Sequence, residues 1–204
     1  EQQVAYSLVL RALEASRRGN RKEAVVVSGG PGSGKSVIAL SLLGELSRQG
    51  RSVLHATGSS AFTQTLRRVA GTRAPRVKAM FRYFNQFGEL EPNELDVLLC
   101  DEAHRIRETS ANRYTRASLR TGTPQVEELL RAARVPVFLL DEHQVVRPGE
   151  LGSIDEITAA AQRLDIDVRV VSLDGQFRCG GSRAYETWVL RLLGLLPGGP
   201  VAWE

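Results

Sequence analysis

The apolar positions of this chain alternate between helical spacing and short continuous runs. Val4, Leu8, Ala12 and Ala15 share a face over residues 3–18, with Arg11, Arg17 and Arg18 off it; this predicts an amphipathic helix closed by Gly19 and Asn20. Residues 24–28 (AVVVS) are a β-branched run, the pattern of a strand buried on both faces. A glycine-rich turn at 29–34 leads into a predicted helix over 35–48, stopped by Gly50. Residues 52–56 read as a second strand, 60–70 as a helix and 77–87 (VKAMFRYFNQF) as another helix. A third strand, 96–100, runs into Asp101 and Glu102. The arginine-rich stretch 105–123 reads as a long loop with a partial helix, and 124–134 as a helix with Pro124 in its first turn. Strands over 137–140 and 168–173 and helices over 153–163 and 181–195 complete the series. Helices alternating with wholly apolar strands imply an α/β fold: a mostly parallel sheet with helices on both faces.

Composition narrows this picture only slightly. A chain of 204 residues, 42% hydrophobic and 25% charged, has the make-up of a globular domain, with or without appendages. No apolar run approaches the roughly 18 residues of a membrane span, and the first residues lack a signal-peptide pattern. A start without Met and the Pro-Gly-Gly-Pro at 197–200 suggest a piece of a longer chain with further domains. Cys100 and Cys179 form no CxxC pair and read as reduced thiols of a cytoplasmic protein. His55, His104 and His143 are scattered, so no protein-built metal centre is expected.

Charge matters through its distribution. The net charge is +4, but residues 67–82 carry Arg67, Arg68, Arg73, Arg76, Lys78 and Arg82 with no acid, and 105–120 carry five arginines and one glutamate. Such clusters attract polyanions; arginine used as a default surface residue would give the same runs. Phe81, Tyr83, Phe84 and Phe87 beside the first cluster could stack on bases, although the spacing of the three phenylalanines reads first as core.

The chemistry concentrates in four segments. Residues 29–36 (GGPGSGKS) fit GxxxxGK[ST] between a strand and a helix, the Walker A pattern. Phosphate oxygens need converging N–H donors, which Gly30, Pro31, Gly32, Ser33 and Gly34 can frame at a helix N-terminus. Lys35 supplies a point charge for the β and γ phosphates, and the Ser36 hydroxyl suits Mg²⁺. Residues 97–104 (VLLCDEAH) deliver two acids at a strand's C-terminal end: Asp101 for the metal, Glu102 to polarise the attacking water. Residues 138–144 (FLLDEHQ) should end on the same rim, with Gln144 within reach of the γ-phosphate. Arg178, in LDGQFRC at 173–179, is a candidate for stabilising γ-phosphate charge.

The ordered set SGGPGSGKS, DEAHR, DEHQ and QFRC resembles a superfamily 1 helicase-type motor, and more narrowly the bacterial Schlafen group 3-like DNA/RNA helicase family, over about residues 3–195. The resemblance implies a RecA-like P-loop ATPase using ATP and Mg²⁺ and acting on single-stranded DNA or RNA. It implies ATP and Mg²⁺ roles for Lys35, Ser36, Asp101 and Glu102, coupling to nucleic acid at Gln144, and γ-phosphate contact by Arg178. Gln3 would read adenine, although it is equally placed as a solvated helix glutamine, and Thr57 and Ser59 would grip the strand backbone, with Arg76, Lys78 and Arg82 beside them; Ser59 is equally placed to cap a helix. Residues 1–174 would form the first motor domain, and 175–204 the start of a second or a C-terminal extension. Such motors need two RecA-like domains, so unwinding is not expected from these residues alone. An ATP-operated switch or scaffold with protein partners is the alternative.

Overall fold

Uninterrupted apolar strands pair best inside a sheet covered on both sides, and away from one edge that is what they build. The computed structural model describes residues 2–19, 21–72, 74–111, 122–141, 144, 149–173, 183–194 and 196–199. Among these residues six strands lie in the order β3-β2-β4-β5-β1-β6. They are β1 (Glu23–Gly29), β2 (Val53–Thr57), β3 (Phe81–Tyr83), β4 (Leu95–Asp101), β5 (Ala133–Leu140) and β6 (Asp167–Leu173). Every pairing is parallel. Helices α1 (Gln2–Gly19) and α2 (Lys35–Arg48) pack on one face, α5 (Gln125–Ala132) and α6 (Ile154–Arg163) on the other. Helices α3 (Ser60–Val69) and α4 (Pro75–Ala79) lie near the β3 edge, and α7 (Arg183–Leu192) follows β6. No described helix is long and apolar enough to cross a membrane.

Strand residues alternate between two cores. Val97 and Leu99 of β4 face α1 and α2, whereas Leu98 and Cys100 face α5 and α6. All four are fully buried, and each valine or leucine contributes about 1.5–3 kcal/mol by leaving water. Cys100 is a free thiol, and burial, with Asp101 beside it, pushes its pKa well up. The same period of two aims position 101 at the α2 face, so the alternation that builds the core also orients the acid.

Four expectations need correction. The buried stripe of α1 is Ala5, Val9, Ala12, Leu13 and Ser16, while Val4 is 55% exposed. The predicted face was therefore out of phase, about one residue or 100° of helix. The stretch 77–87 is not one helix: α4 stops at Ala79, β3 adds a sixth strand, and a 3₁₀ turn spans Phe84–Gln86. Parallel pairing of His55 with Phe81 wins over local helical preference. Phe81, Phe84 and Phe87 are buried, because a turn of three residues also puts i and i+3 on one side. Strand β5 begins at Ala133, ahead of Pro136. Proline is tolerated there because β5 pairs with β4 from Ala133 but gains β1 only at Val137. Finally, β6 is an edge strand with Val170 49% exposed, so the sheet is not covered along its whole width.

Candidate nucleotide-binding site

The loop after β1 owes its shape to its glycines. Gly32 and Gly34 have φ of 89° and 92°, a region side chains disfavour. A Cβ on Gly34 would stand 1.9 Å from the Gln2 Nε2 atom. That close approach lets Gln2 Nε2 donate to the Ser33 carbonyl at 2.9 Å, so α1 clamps the loop. Lys35 Nζ donates to the carbonyls of Gly29 and Gly30, the latter at 2.8 Å, which holds its ammonium across the loop. The first turn of α2 opens beside it, where helix geometry leaves N–H groups without intrahelical acceptors. Pro31, Gly32, Lys35, Ser36, Glu102 and Gln144 line one hollow of about 430 Å³ there, with Gln2 and His104 at its wall.

Asp101 ends β4 and is 1% exposed. Its Oδ1 accepts the Glu102 N–H at 3.0 Å, and its Oδ2 lies 3.4 Å from Nε2 of the fully buried His55. Glu102 adopts φ 56° and ψ 43°, left-handed for a residue other than glycine. Such a conformation costs about 1–3 kcal/mol and persists only when the surroundings enforce it. The 3₁₀ turn Ala103–Arg105 follows at once, and segment 151–153 braces it. Leu151 N–H donates to the Ile106 carbonyl at 2.7 Å, and a Cβ on Gly152 would overlap the Ala103 carbonyl oxygen at 1.8 Å. The Glu102 carboxylate lies 3.1 Å from His104 Nε2 and 3.6 Å from Arg105 Nε. The His104 imidazole holds the Glu102 carboxyl below the usual carboxylate range, against the upward push of burial; Arg105 and Lys35 add to the lowering. Glu102 is therefore an anion at neutral pH.

A hard divalent cation takes oxygen ligands. Asp101 Oδ2 is buried and has no hydrogen-bond partner among the described residues, and Ser36 lines the hollow from the first turn of α2. A carboxylate and a hydroxyl of this kind suit Mg²⁺.

The structure thus gathers Lys35, Ser36, Glu102 and Gln144 at one hollow, with Asp101 next to Glu102 at the strand end. Gln3 is exposed, whereas its neighbour Gln2 lines the hollow, in keeping with the phase of α1. Gln2 lies three residues before Ala5, so the corrected stripe would have found it. His55 and His104, far apart in sequence, touch the two acids. Strand period and the register of Thr57 with Asp101 put His55 on the acid's face. Ser59 caps α3 by accepting the Phe62 N–H at 3.3 Å. Thr57 lines a second hollow of about 210 Å³, with Tyr83, Arg105 and Arg107. Arg76, Lys78 and Arg82 are exposed on α4 and β3, and none of them lines that hollow. Arg178 lies outside the described residues.

A parallel sheet of this order, a glycine loop between β1 and α2, and acids at the end of β4 define a RecA-like P-loop NTPase fold. Within that class the chain belongs to the Schlafen group 3 DNA/RNA helicase domain family, whose model matches residues 22–203. Among solved structures it is similar to Pif1 helicase from Candida albicans, at 15% identity and a TM-score of 0.52, over 94% of this chain and 43% of that one. A DNA replication initiation factor matches at 14% identity and a TM-score of 0.46, over 94% of this chain and 50% of that one. AMPPCP-bound DnaA from Aquifex aeolicus matches at 16% and 0.43, over 96% and 52%. At these identities the likeness is one of fold, and the chain spans about half the length of the structures it matches. No curated protein matches.

Proposed function

We propose that this chain is the ATP-binding and hydrolysing module of a superfamily 1-type DNA or RNA motor. The observation that carries the reading is the single hollow shared by Lys35, Ser36, Glu102 and Gln144 at the C-terminal rim of the sheet, where open α/β folds bind ligands. The loop from Gly30 to Gly34 cradles the polyphosphate, and Lys35 exchanges loop carbonyls for β- and γ-phosphate oxygens. Ser36 and Asp101 hold Mg²⁺, which when bound neutralises phosphate charge. Glu102, anionic and half-buried, accepts a hydrogen bond from the attacking water and aims it in line. Gln144 contacts the γ-phosphate side of the hollow, and Arg178 supplies a further positive charge. Residues 1–174 form the first motor domain, and 175–204 form the start of a second or a C-terminal extension.

Single-stranded nucleic acid crosses the rim near Thr57 and Ser59, with Arg76, Lys78 and Arg82 on its flank. In this reading ATP turnover rises at least about tenfold on adding single-stranded DNA or RNA, and the gain shrinks with salt as phosphate contacts are screened. A steady-state ATPase assay with and without strand tests it. ATP binding with no strand response at any salt would leave the switch or scaffold instead.

The clamp on the loop gives a sharper expectation. Gln2→Ala weakens ATP binding about three- to tenfold, the worth of one hydrogen bond, whereas Gln3→Ala leaves it unchanged. Titration with a fluorescent ATP analogue separates them. Equal effects at both positions would return the role to neither.

A further inference from the structure

The 3₁₀ turn after Glu102 is a partition between two hollows. Glu102 and His104 line the nucleotide side. Arg105, one residue on, lines the second hollow with Arg107, Thr57 and Tyr83. Arg105 nevertheless reaches back: its Nε lies 3.6 Å from Glu102 Oε2, and that nitrogen is buried with no hydrogen-bond partner among the described residues. The backbone fixes this placement closely. A Cβ on Gly58 would stand 2.7 Å from the Arg105 Cβ and 3.3 Å from its carbonyl oxygen. Among the described residues the second hollow is lined by two arginines, the Tyr83 ring and Thr109, with no carboxylate; Thr57 and Ser110 line it too, but Thr57 Oγ1 accepts the Ser59 N–H at 3.2 Å and Ser110 Oγ is held by Glu128 and Gln125. Guanidinium and hydroxyl groups beside an aromatic ring suit a phosphodiester with an adjacent base.

We propose that Arg105 is a positioning residue that relays a nucleic-acid phosphate in the second hollow to Glu102 in the first. This rests on the motor reading above. Without a strand, Arg105 pairs with Glu102 and holds its carboxylate toward the partition. A phosphate in the second hollow competes for the guanidinium through a charge-assisted, two-pronged contact, stronger than a partly exposed ion pair. Glu102 then turns to the water it must orient. Competition for one cation is reciprocal: whatever weakens the Glu102 pair must strengthen strand binding by the same factor.

Reciprocity gives a test that needs neither nucleotide nor metal. Binding of a short labelled oligothymidylate or oligouridylate is measured by anisotropy for the 204-residue chain, Glu102→Gln, Arg105→Gln and the double variant. Glu102→Gln tightens binding about three- to fivefold by removing the competing anion. Arg105→Gln weakens it about tenfold. The double variant binds within twofold of Arg105→Gln, because nothing remains for Glu102 to compete for. In the ATPase assay Arg105→Gln brings the ratio of strand-stimulated to basal turnover toward one, and Arg105→Lys restores part of it. Additive effects in the binding cycle, or a full strand response in Arg105→Gln, overturn the relay while leaving the motor reading in place. Failure of the unsubstituted chain to bind either oligonucleotide overturns both.

Discussion

Lys35→Ala lowers ATP turnover by about 10²–10³-fold, the scale of losing one preorganised charge at a developing anion. The side chain spends its polar contacts on the loop carbonyls of Gly29 and Gly30, away from the two hydrophobic cores. Removing it costs stability through local polar contacts rather than through core packing, about 1 kcal/mol per hydrogen bond lost. For a domain of this size that shifts the melting temperature by about 2–4 °C. ATPase rates together with a thermal melt separate the two effects. Unchanged turnover would remove the phosphate role, and a melting temperature lower by tens of degrees would make the lysine structural.

Glu102→Gln gives the second large effect: turnover falls about 10²–10⁴-fold, as when a general base is lost, while the dissociation constant for ATP stays within about threefold. Amide and carboxylate are nearly isosteric, so the left-handed turn and the bracing by Gly152 survive. Loss of ATP binding instead would place Glu102 in the architecture rather than the chemistry. The pH dependence has a definite sign. A carboxyl held below its ordinary range by His104, Arg105 and Lys35 stays ionised as pH falls, and its contribution is lost only as pH drops through that lowered value. The acid limb of turnover due to this group therefore lies below the usual carboxylate region.

The parts of this molecule legible in the sequence are those where one local rule dominates. The β-branched run before the glycine loop, the fixed spacing of Lys35 and Ser36, and the apolar strand ending in Asp101 each admit one reading. The structure places them on one rim accordingly. The misread parts are where a distant partner decides. Residues 81–83 become a strand because β2 offers an open edge beside His55 and Thr57, a fact written some 25 residues away. The phase of α1 was ambiguous because Val4 and Ala5 are both apolar; the docking surface on the sheet selects Ala5, and Gln2 follows. His55 and His104 could not be distinguished from ordinary core histidines until the register of β2 on β4 was known. Arg105 looked like one charge among many, and only its position between two hollows singles it out.

The strand order also has a consequence for biogenesis. Strand β1 ends in the phosphate loop, yet its neighbours in the sheet are β5 and β6, registered at Val25 with Val137 and at Glu23 with Asp167. A ribosome that has just made Gly29 must add roughly 110 more residues before Leu140 is made, on the order of 5–20 s at about 5–20 residues per second. Throughout that interval the nascent loop hangs from a strand with both edges unpaired. A chain interrupted between α2 and β5 thus carries the full GGPGSGKS signature without the scaffold that gives it a grip.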